Sequence, residues 1–128
     1  MAKILIWDRY ADWELLAEKL ACEGHTIVWA DKPEWIREWI ATSRPALVVL
    51  NSRKNGRIRW DVLEEMKRQE PHLPVLVILD PTHPLQDNRL SLADAWVTRD
   101  SPYEEFQQKI GELLPECLQY EDPLRKVE

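Results

Sequence analysis

The amino-acid sequence predicts an α/β fold: a doubly wound parallel sheet of five strands, covered by helices in three αβα layers. Short apolar segments alternate with amphipathic helical segments five times along the chain, which indicates a parallel sheet. Residues 45–50 and 74–79 are uninterrupted apolar runs, typical of central strands covered on both faces. With right-handed crossovers, the expected strand order is 2-1-3-4-5.

The chain length fits one domain of this kind. The chain has 128 residues, enough for one core and hard to divide into two. We expect residues 1–118 to form the domain and the polar residues 119–128 to form a C-terminal tail. The five strands are expected at residues 3–7, 25–30, 45–50, 74–79 and 94–97.

The first two helices are predicted from apolar residues at helical spacing. The first covers residues 11–23 and is followed by Gly24, a residue type that commonly ends helices. The second begins after an N-cap signature at residues 31–34 and carries Trp35 and Trp39 on one face. We expect this face to lie in the core, although a partner-binding ridge is the alternative.

The remaining helices differ in the strength of their signals. The third helix is predicted over residues 60–70 and the fourth, a weak candidate, over residues 85–92. The fifth begins at residues 101–104, which form a capping box with Pro102 at the first helical position. Pro115 kinks or ends it.

Composition excludes several classes of function. With three glycines, the chain has no glycine-rich phosphate loop of the common kinds. The net charge of −6 lies entirely in residues 65–128, which carry seven basic and thirteen acidic residues, and it argues against nucleic acid as a partner. No apolar run is long enough to span a membrane. No metal-ligand spacing exists among the two cysteines, Cys22 and Cys117, or among the scattered histidines. Because the two cysteines lie on separate predicted helices and suggest no disulfide framework, we expect a reducing, cytoplasmic compartment.

In a sheet of this kind, the functional site lies beyond the carboxyl ends of the strands. The polar or marker residues expected there are Asp8 and Arg9 after strand 1, Asn51 after strand 3, Leu79 at strand 4 and Arg99 after strand 5. No spacing among them supports a catalytic triad or a metal centre.

Five segments resemble the receiver domain of bacterial two-component response regulators, which has a CheY-like, flavodoxin-like fold. Each matches a strand motif of that family, in the same order. They are Ile-Leu-Ile-Trp-Asp at 4–8, Gly-His-Thr-Ile-Val-Trp-Ala at 24–30, Pro-Ala-Leu-Val-Val-Leu-Asn at 45–51, Leu-Pro-Val-Leu-Val-Ile at 73–78 and Ala-Asp-Ala-Trp-Val-Thr-Arg at 93–99. The resemblance covers about residues 2–114 and implies signalling by phosphorelay.

The residues that the resemblance assigns to phosphorylation are changed. Asn51 stands where the family has its phosphate-accepting aspartate, and an amide has no anionic oxygen for attack. Of the family's Mg²⁺-binding acidic pair only Asp8 remains, with Arg9 in the second place, so Mg²⁺ binding should be lost. Leu79 replaces a hydroxyl residue, and Arg99 replaces lysine. We therefore expect a degenerate pseudo-receiver that is not an enzyme and holds no cofactor.

The resemblance also implies an interaction face formed by predicted helix 4, strand 5 and helix 5. The candidate residues on this face are Trp96, Leu90 and Tyr103. Trp96 stands where receivers carry an aromatic residue that reports phosphorylation, although simple packing against a neighbouring helix is the alternative. The expected partners are signalling proteins, including a second copy of the chain.

Two other functions stay open at this point. The degenerate pocket could sense a small molecule or an anion near Arg9, Arg99 and the basic loop at residues 53–59, which is otherwise a solvated loop. Asp8 or Asp80 could act as a residual phosphate acceptor, although neither ends strand 3.

Overall fold

The structure is a computed structural model that describes residues 2–7, 11–30, 36–51, 60–82 and 86–114. Its sheet has five strands, all parallel, in the order β2-β1-β3-β4-β5. The predicted fold class and strand order are thus confirmed. The strands are β1 (Lys3–Trp7), β2 (Thr26–Ala30), β3 (Leu47–Asn51), β4 (Val75–Leu79) and β5 (Ala95–Thr98).

Within the described ranges, four α-helices and one 3₁₀ helix accompany the sheet. They are α1 (Ala11–Cys22), α2 (Ile36–Ser43), α3 (Trp60–Gln69), the 3₁₀ helix Asn88–Leu92 and α4 (Tyr103–Leu113). The 3₁₀ helix stands at the position of the predicted fourth helix, and α4 is the predicted fifth. No described helix is both long and apolar enough to cross a membrane.

Apolar side chains on the two faces of the sheet form two clusters, because successive strand residues point to opposite faces. On β1, Leu5 and Trp7 join the cluster beneath α2 and α3, whereas Ile4 and Ile6 join the cluster beneath α1 and α4. Every residue of β3 and β4 is buried, as their uninterrupted apolar runs predict for central strands.

Strand boundaries differ slightly from the predictions, for local reasons. Gly24 adopts a positive φ of 98°, and the His25 N–H donates to the Leu20 carbonyl. His25 therefore lies in the turn that follows α1, and β2 begins at Thr26. Pro45 has no N–H for a strand ladder, and β3 runs from Leu47 through Asn51.

The predicted fourth helix is a 3₁₀ helix of five residues. Asp87 caps it, because its side chain accepts the Arg89 N–H at 3.0 Å. The Leu90 N–H donates to the Asp87 carbonyl in the i to i+3 pattern. Short segments favour this tighter helix.

The predicted capping box at the start of α4 is wrong in detail. Helix α4 begins at Tyr103, with Pro102 as a cap residue that offers no side-chain hydrogen bond. The Ser101 hydroxyl oxygen instead accepts the Thr98 N–H at 3.1 Å. Ser101 thus closes the turn after β5 rather than capping the helix.

Candidate functional site

The carboxyl ends of the strands meet at one edge of the sheet, as the parallel topology requires. Residue pairing places Trp7 beside Leu50, Asn51 beside Ile78, and Leu79 beside Thr98. The expected site residues Asn51, Leu79 and Arg99 therefore lie along this edge. Asp8, Arg9 and the basic loop at residues 53–59 lie outside the described residues.

Asn51 is the buried polar side chain of this edge. It is fully buried, and it lies on the same side of the sheet as Val49, which packs beneath α1 and α4. Its amide nitrogen and oxygen have no hydrogen-bond partner in the part of the chain that the structure describes. Burying an amide without a hydrogen-bond partner lowers the free energy of unfolding. The part of the chain that the structure describes therefore gives no structural reason for an amide at this position.

The end of β4 is apolar. Leu79 is fully buried in the cluster beneath α2 and α3, and it offers no side-chain hydrogen bond. Its carbonyl accepts the Arg99 N–H at 2.9 Å, which fixes the backbone after β5. Arg99 itself has an exposed side chain.

Asp80, the alternative phosphate acceptor, forms a turn. Its Oδ1 accepts hydrogen bonds from the Thr82 N–H at 3.0 Å and from the Thr82 hydroxyl at 2.6 Å. Among the described residues, no group of three or more His, Cys, Asp or Glu side chains could hold a metal ion. The described part of this edge therefore presents one neutral amide, one guanidinium and two carboxylates, Asp80 engaged in a turn and Asp100 accepting from the Thr98 hydroxyl.

Trp96 lies on β5, at the edge of the sheet. Its side chain is 37% exposed, and it is the exposed large hydrophobic residue of the described part of the chain. Ala95 and Val97 contact the cluster beneath α1 and α4, so Trp96 points to the opposite side, toward α3. A large aromatic side chain at an exposed edge is typical of binding hot spots.

The other two candidate interface residues lie on different sides of the sheet. Leu90 packs, partly buried, on the cluster beneath α2 and α3, the side to which Trp96 points. Tyr103 packs toward α1, since Lys19 Nζ lies 4.7 Å from its ring centroid and the Phe106 ring centroid lies 6.3 Å away. Burial, with the nearby Glu23 carboxylate, raises the pKa of Tyr103 well above its usual range.

Sequence reasoning missed a set of polar contacts that join the β4–β5 connection to α3. The Arg89 guanidinium lies 4.8 Å from the Trp60 ring centroid and is paired with Asp87 at 2.9 Å. Lys67 Nζ binds the Asp94 carboxylate. The Asp87–Arg89 spacing could have indicated a capped turn, but the contacts with α3 depend on the tertiary fold.

Comparison with solved structures identifies the fold. The response regulator protein TrrA from Thermotoga maritima, in complex with Mg(2+)-BeF, has a TM-score of 0.77 and 25% sequence identity, with 89% of this chain and 100% of that chain covered. The chain has the receiver fold. A chain of the complex between histidine kinase ThkA and TrrA has a TM-score of 0.77 and 25% identity, covering 90% of this chain and 100% of that one.

Other receiver structures are similar at lower identity or over part of their length. NtrX from Brucella abortus, in complex with ADP, has a TM-score of 0.75 and 25% identity over 88% of this chain. This chain spans 26% of that NtrX chain. The receiver domain of Klebsiella pneumoniae RstA has a TM-score of 0.75 at 17% identity, with 87% of this chain and 97% of that chain covered. No protein-family model matches the sequence, and no curated protein matches it.

Proposed function

We propose that the chain is a receiver-like domain of two-component signalling that acts without phosphorylation, as a protein–protein interaction module. Its similarity to TrrA supports a role in two-component signalling. TrrA has also been solved in complex with the histidine kinase ThkA, which supports a signalling protein as the partner here. In this proposal the chain is a cytoplasmic, non-enzymatic protein, with residues 1–118 as its domain.

The observation that carries this proposal is the buried amide of Asn51. Asn51 ends β3, where the receiver resemblance expects the phosphate-accepting aspartate. A neutral amide oxygen is a poor nucleophile toward phosphorus, and no neighbouring base could make it anionic. The buried position also limits access to a phosphate donor.

The rest of the edge supports the same conclusion. Leu79 offers no hydroxyl to a phosphoryl group. Arg9 takes the place of one of the acidic residues that the resemblance expects, and Mg²⁺ is bound in proteins mainly by carboxylate and water oxygens. Asn51 removes a further carboxylate. Too few anionic oxygens are left to bind Mg²⁺.

The proposed interaction surface is the edge formed by the 3₁₀ helix, β5 and α4. Trp96 is its exposed aromatic residue, and Leu90 lies on the same side of the sheet. Tyr103 contributes by holding the start of α4 against α1, rather than by facing a partner. This edge also suits the pairing of two copies of the chain.

Intact mass spectrometry after incubation with acetyl phosphate and Mg²⁺ tests the phosphorylation-independent reading. We expect no phosphorylated species of the natural chain. The Asn51→Asp variant is the matched comparison, since it restores a carboxylate at the end of β3. A phosphorylated natural chain would overturn the proposal, and peptide mapping would then test Asp8 and Asp80 as acceptors.

Light scattering over a concentration series tests the interaction surface. We expect Trp96→Ala to weaken self-association or the capture of a signalling partner about tenfold or more, because truncating an aromatic hot spot costs about 2 kcal/mol. Thr26→Ala is the control, because Thr26 is exposed on β2, the strand at the opposite edge of the sheet from β5. Equal behaviour of the two variants would contradict the proposed surface.

A second candidate function, sensing of a small molecule or anion, is favoured by one observation. Both polar atoms of the Asn51 amide are buried without a partner among the described residues, and a small ligand that offers both a donor and an acceptor, as a nucleotide base or a protonated phosphate does, would satisfy them. Arg99 lies exposed near the end of β5 and could attract an anion. A thermal-shift screen of nucleotides and inorganic phosphate tests this function, with Asn51→Leu as the variant that should abolish any shift.

A further inference from the structure

The β4–β5 connection is fastened to α3 at two points. We call residues 86–94 the strap. Near its beginning, the Arg89 guanidinium lies 4.8 Å from the centroid of the Trp60 ring. At its end, Lys67 Nζ donates to the Asp94 carboxylate. Trp60 and Lys67 are seven residues apart on α3, which corresponds to about 10 Å along the helix axis.

The Asp94 attachment is built into the sheet. Asp94 Oδ2 accepts the Val75 N–H at 2.7 Å as well as the Lys67 ammonium. Lys67 Nζ also donates to the Leu73 carbonyl at 2.9 Å, and its side chain is only 19% exposed. If Asp94 moved away, the Val75 N–H and the largely buried Lys67 ammonium would both lose the Asp94 carboxylate as their acceptor. We therefore expect this attachment to open rarely.

The Arg89 attachment is exposed. The Arg89 side chain is 55% exposed, and its guanidinium forms a fork on Asp87, with Nε at 3.0 Å from Oδ1 and Nη2 at 2.9 Å from Oδ2. The fork holds the guanidinium in place over Trp60. A cation–π contact at an exposed site corresponds to a factor of only about two to five in population, so this attachment opens far more readily than the one at Asp94.

Apolar side chains lie beneath the strap. Leu90 and Leu92 are partly buried against the cluster that contains Val62, Leu63 and Met66 of α3. The 3₁₀ helix itself has no fully buried residue. Its hold on α3 therefore combines shallow apolar packing with the Arg89 contact.

We propose that Arg89 is the releasable end of this two-point strap and that Asp94 is its fixed end. When the guanidinium leaves Trp60, residues 88–92 lift from α3 and expose Leu90 and Leu92, while Asp94 keeps β5 and Trp96 in register. The strap lies next to the proposed interaction surface. The contact of Arg89 with Trp60, the first residue of α3, decides whether residues 88–92 stay packed on α3. The strap rests on the contacts of the fold and not on the absence of phosphorylation.

Hydrogen–deuterium exchange of the full chain tests the proposed strap. We expect Arg89→Ala to increase the exchange of peptides covering residues 86–92 by about three- to tenfold, because both the cation–π contact and the charged fork are lost. Peptides from β4 and from β5 should keep their rates. Arg68→Ala is the matched control, since Arg68 is another exposed arginine of this region and pairs with Glu65 on α3 itself.

Two further variants separate the roles of charge, shape and position. Arg89→Lys keeps the charge and loses the planar fork, so we expect a partial increase in exchange at residues 86–92. Asp94→Asn should increase exchange in β4 and β5 as well, because it weakens the fixed end. The proposed strap is overturned if Arg89→Ala matches Arg68→Ala, or if Arg89→Ala raises exchange equally across the sheet. Neither result bears on whether the chain is phosphorylated.

Discussion

The carboxyl end of β3 and the strap differ in whether their polar side chains have hydrogen-bond partners. At the end of β3, the Asn51 amide is fully buried without a partner among the described residues, and its strand partner is the buried, apolar Ile78. In the strap, the carboxylates of Asp87 and Asp94 each accept at least two hydrogen bonds. Among the described residues, the well-formed polar contacts of the two regions thus lie in the strap beside the exposed edge, while Asp8, Arg9 and residues 53–59 of the strand-end region lie outside the described residues.

This difference indicates where the remaining function lies. A buried polar group without a partner destabilises a fold. Satisfied polar groups on a half-exposed segment fix the shape of a surface, and a fixed surface binds a partner at a smaller entropic cost. The contrast therefore favours recognition at the β5 edge over catalysis at the strand ends.

The largest expected change in the free energy of unfolding comes from a substitution of Asp94, the fixed end of the strap. Asp94→Ala removes the acceptor of both Lys67 and the Val75 N–H. We expect the free energy of unfolding to fall by about 2–3 kcal/mol, because hydrogen bonds to charged groups are lost and a backbone N–H is left unpaired. Urea unfolding followed by circular dichroism measures this change.

The matched control for Asp94→Ala is Glu65→Ala. Glu65 pairs with Arg68 at 2.8 Å on the surface of α3, and pairs of this kind contribute about 0.5 kcal/mol or less. If both variants lose the same small amount, the Asp94 contacts are ordinary surface contacts and the contrast between the two regions disappears.

The second-largest expected effect is an increase in the free energy of unfolding, caused by a substitution at the carboxyl end of β3. Asn51→Leu replaces an amide that has no partner among the described residues with an apolar side chain of similar size, on the side of the sheet where Val49 and Ile78 are already buried. We expect the free energy of unfolding to rise by about 1–2 kcal/mol, since the desolvation cost of the amide is removed. Differential scanning calorimetry measures the shift in Tm.

Asn51→Asp provides the opposite change at the same position. A carboxylate there would be fully buried, and burial disfavours its charged form, so this variant should be less stable than the natural chain at neutral pH. A loss of stability in Asn51→Leu would show that the amide makes contacts that stabilise the fold, and it would weaken the comparison drawn above.

Much of the fold could be predicted from the sequence, because the signals are local. The uninterrupted apolar runs of β3 and β4, and the alternation of strands with amphipathic helices, led to the observed topology. The position of Asn51 at the end of β3 followed from the same reasoning. Its burial could not be derived, since it depends on how several strand ends and their connections pack together.

The strap could not be predicted, because its contacts join residues far apart in sequence. Arg89 and Trp60 are separated by 29 positions, and Lys67 and Asp94 by 27. The sequence offers residues 85–92 only as a weak helix candidate, whereas in the structure the Asp87 side chain caps a 3₁₀ helix of five residues. Short-range patterns do not decide between an α-helix and a 3₁₀ helix when tertiary contacts hold the segment.

A smaller effect tests the turn that follows β5. Ser101→Ala removes the acceptor of the Thr98 N–H, and we expect a loss of about 1 kcal/mol in the free energy of unfolding. The amide exchange of Thr98, followed by NMR, should accelerate while that of Glu104 stays unchanged. A capping box would give the reverse, because its serine protects the N–H three positions later. Ser91→Ala is the control, since the Ser91 hydroxyl donates only to the Asn88 carbonyl in the exposed 3₁₀ helix.

The smallest expected effect concerns His25, whose Nδ1 is buried without a partner among the described residues, as the Asn51 amide is. Burial lowers the pKa of His25 from its ordinary value of 6.5. The unfolded chain therefore takes up the proton before the folded chain as the pH falls, and the free energy of unfolding should decrease from about pH 6.5 downward. His25→Gln should flatten this dependence in urea unfolding between about pH 5 and 7.5. His72→Gln, which removes an exposed imidazole, should leave the dependence unchanged, and equal slopes in both variants would show that the burial of His25 has no energetic consequence.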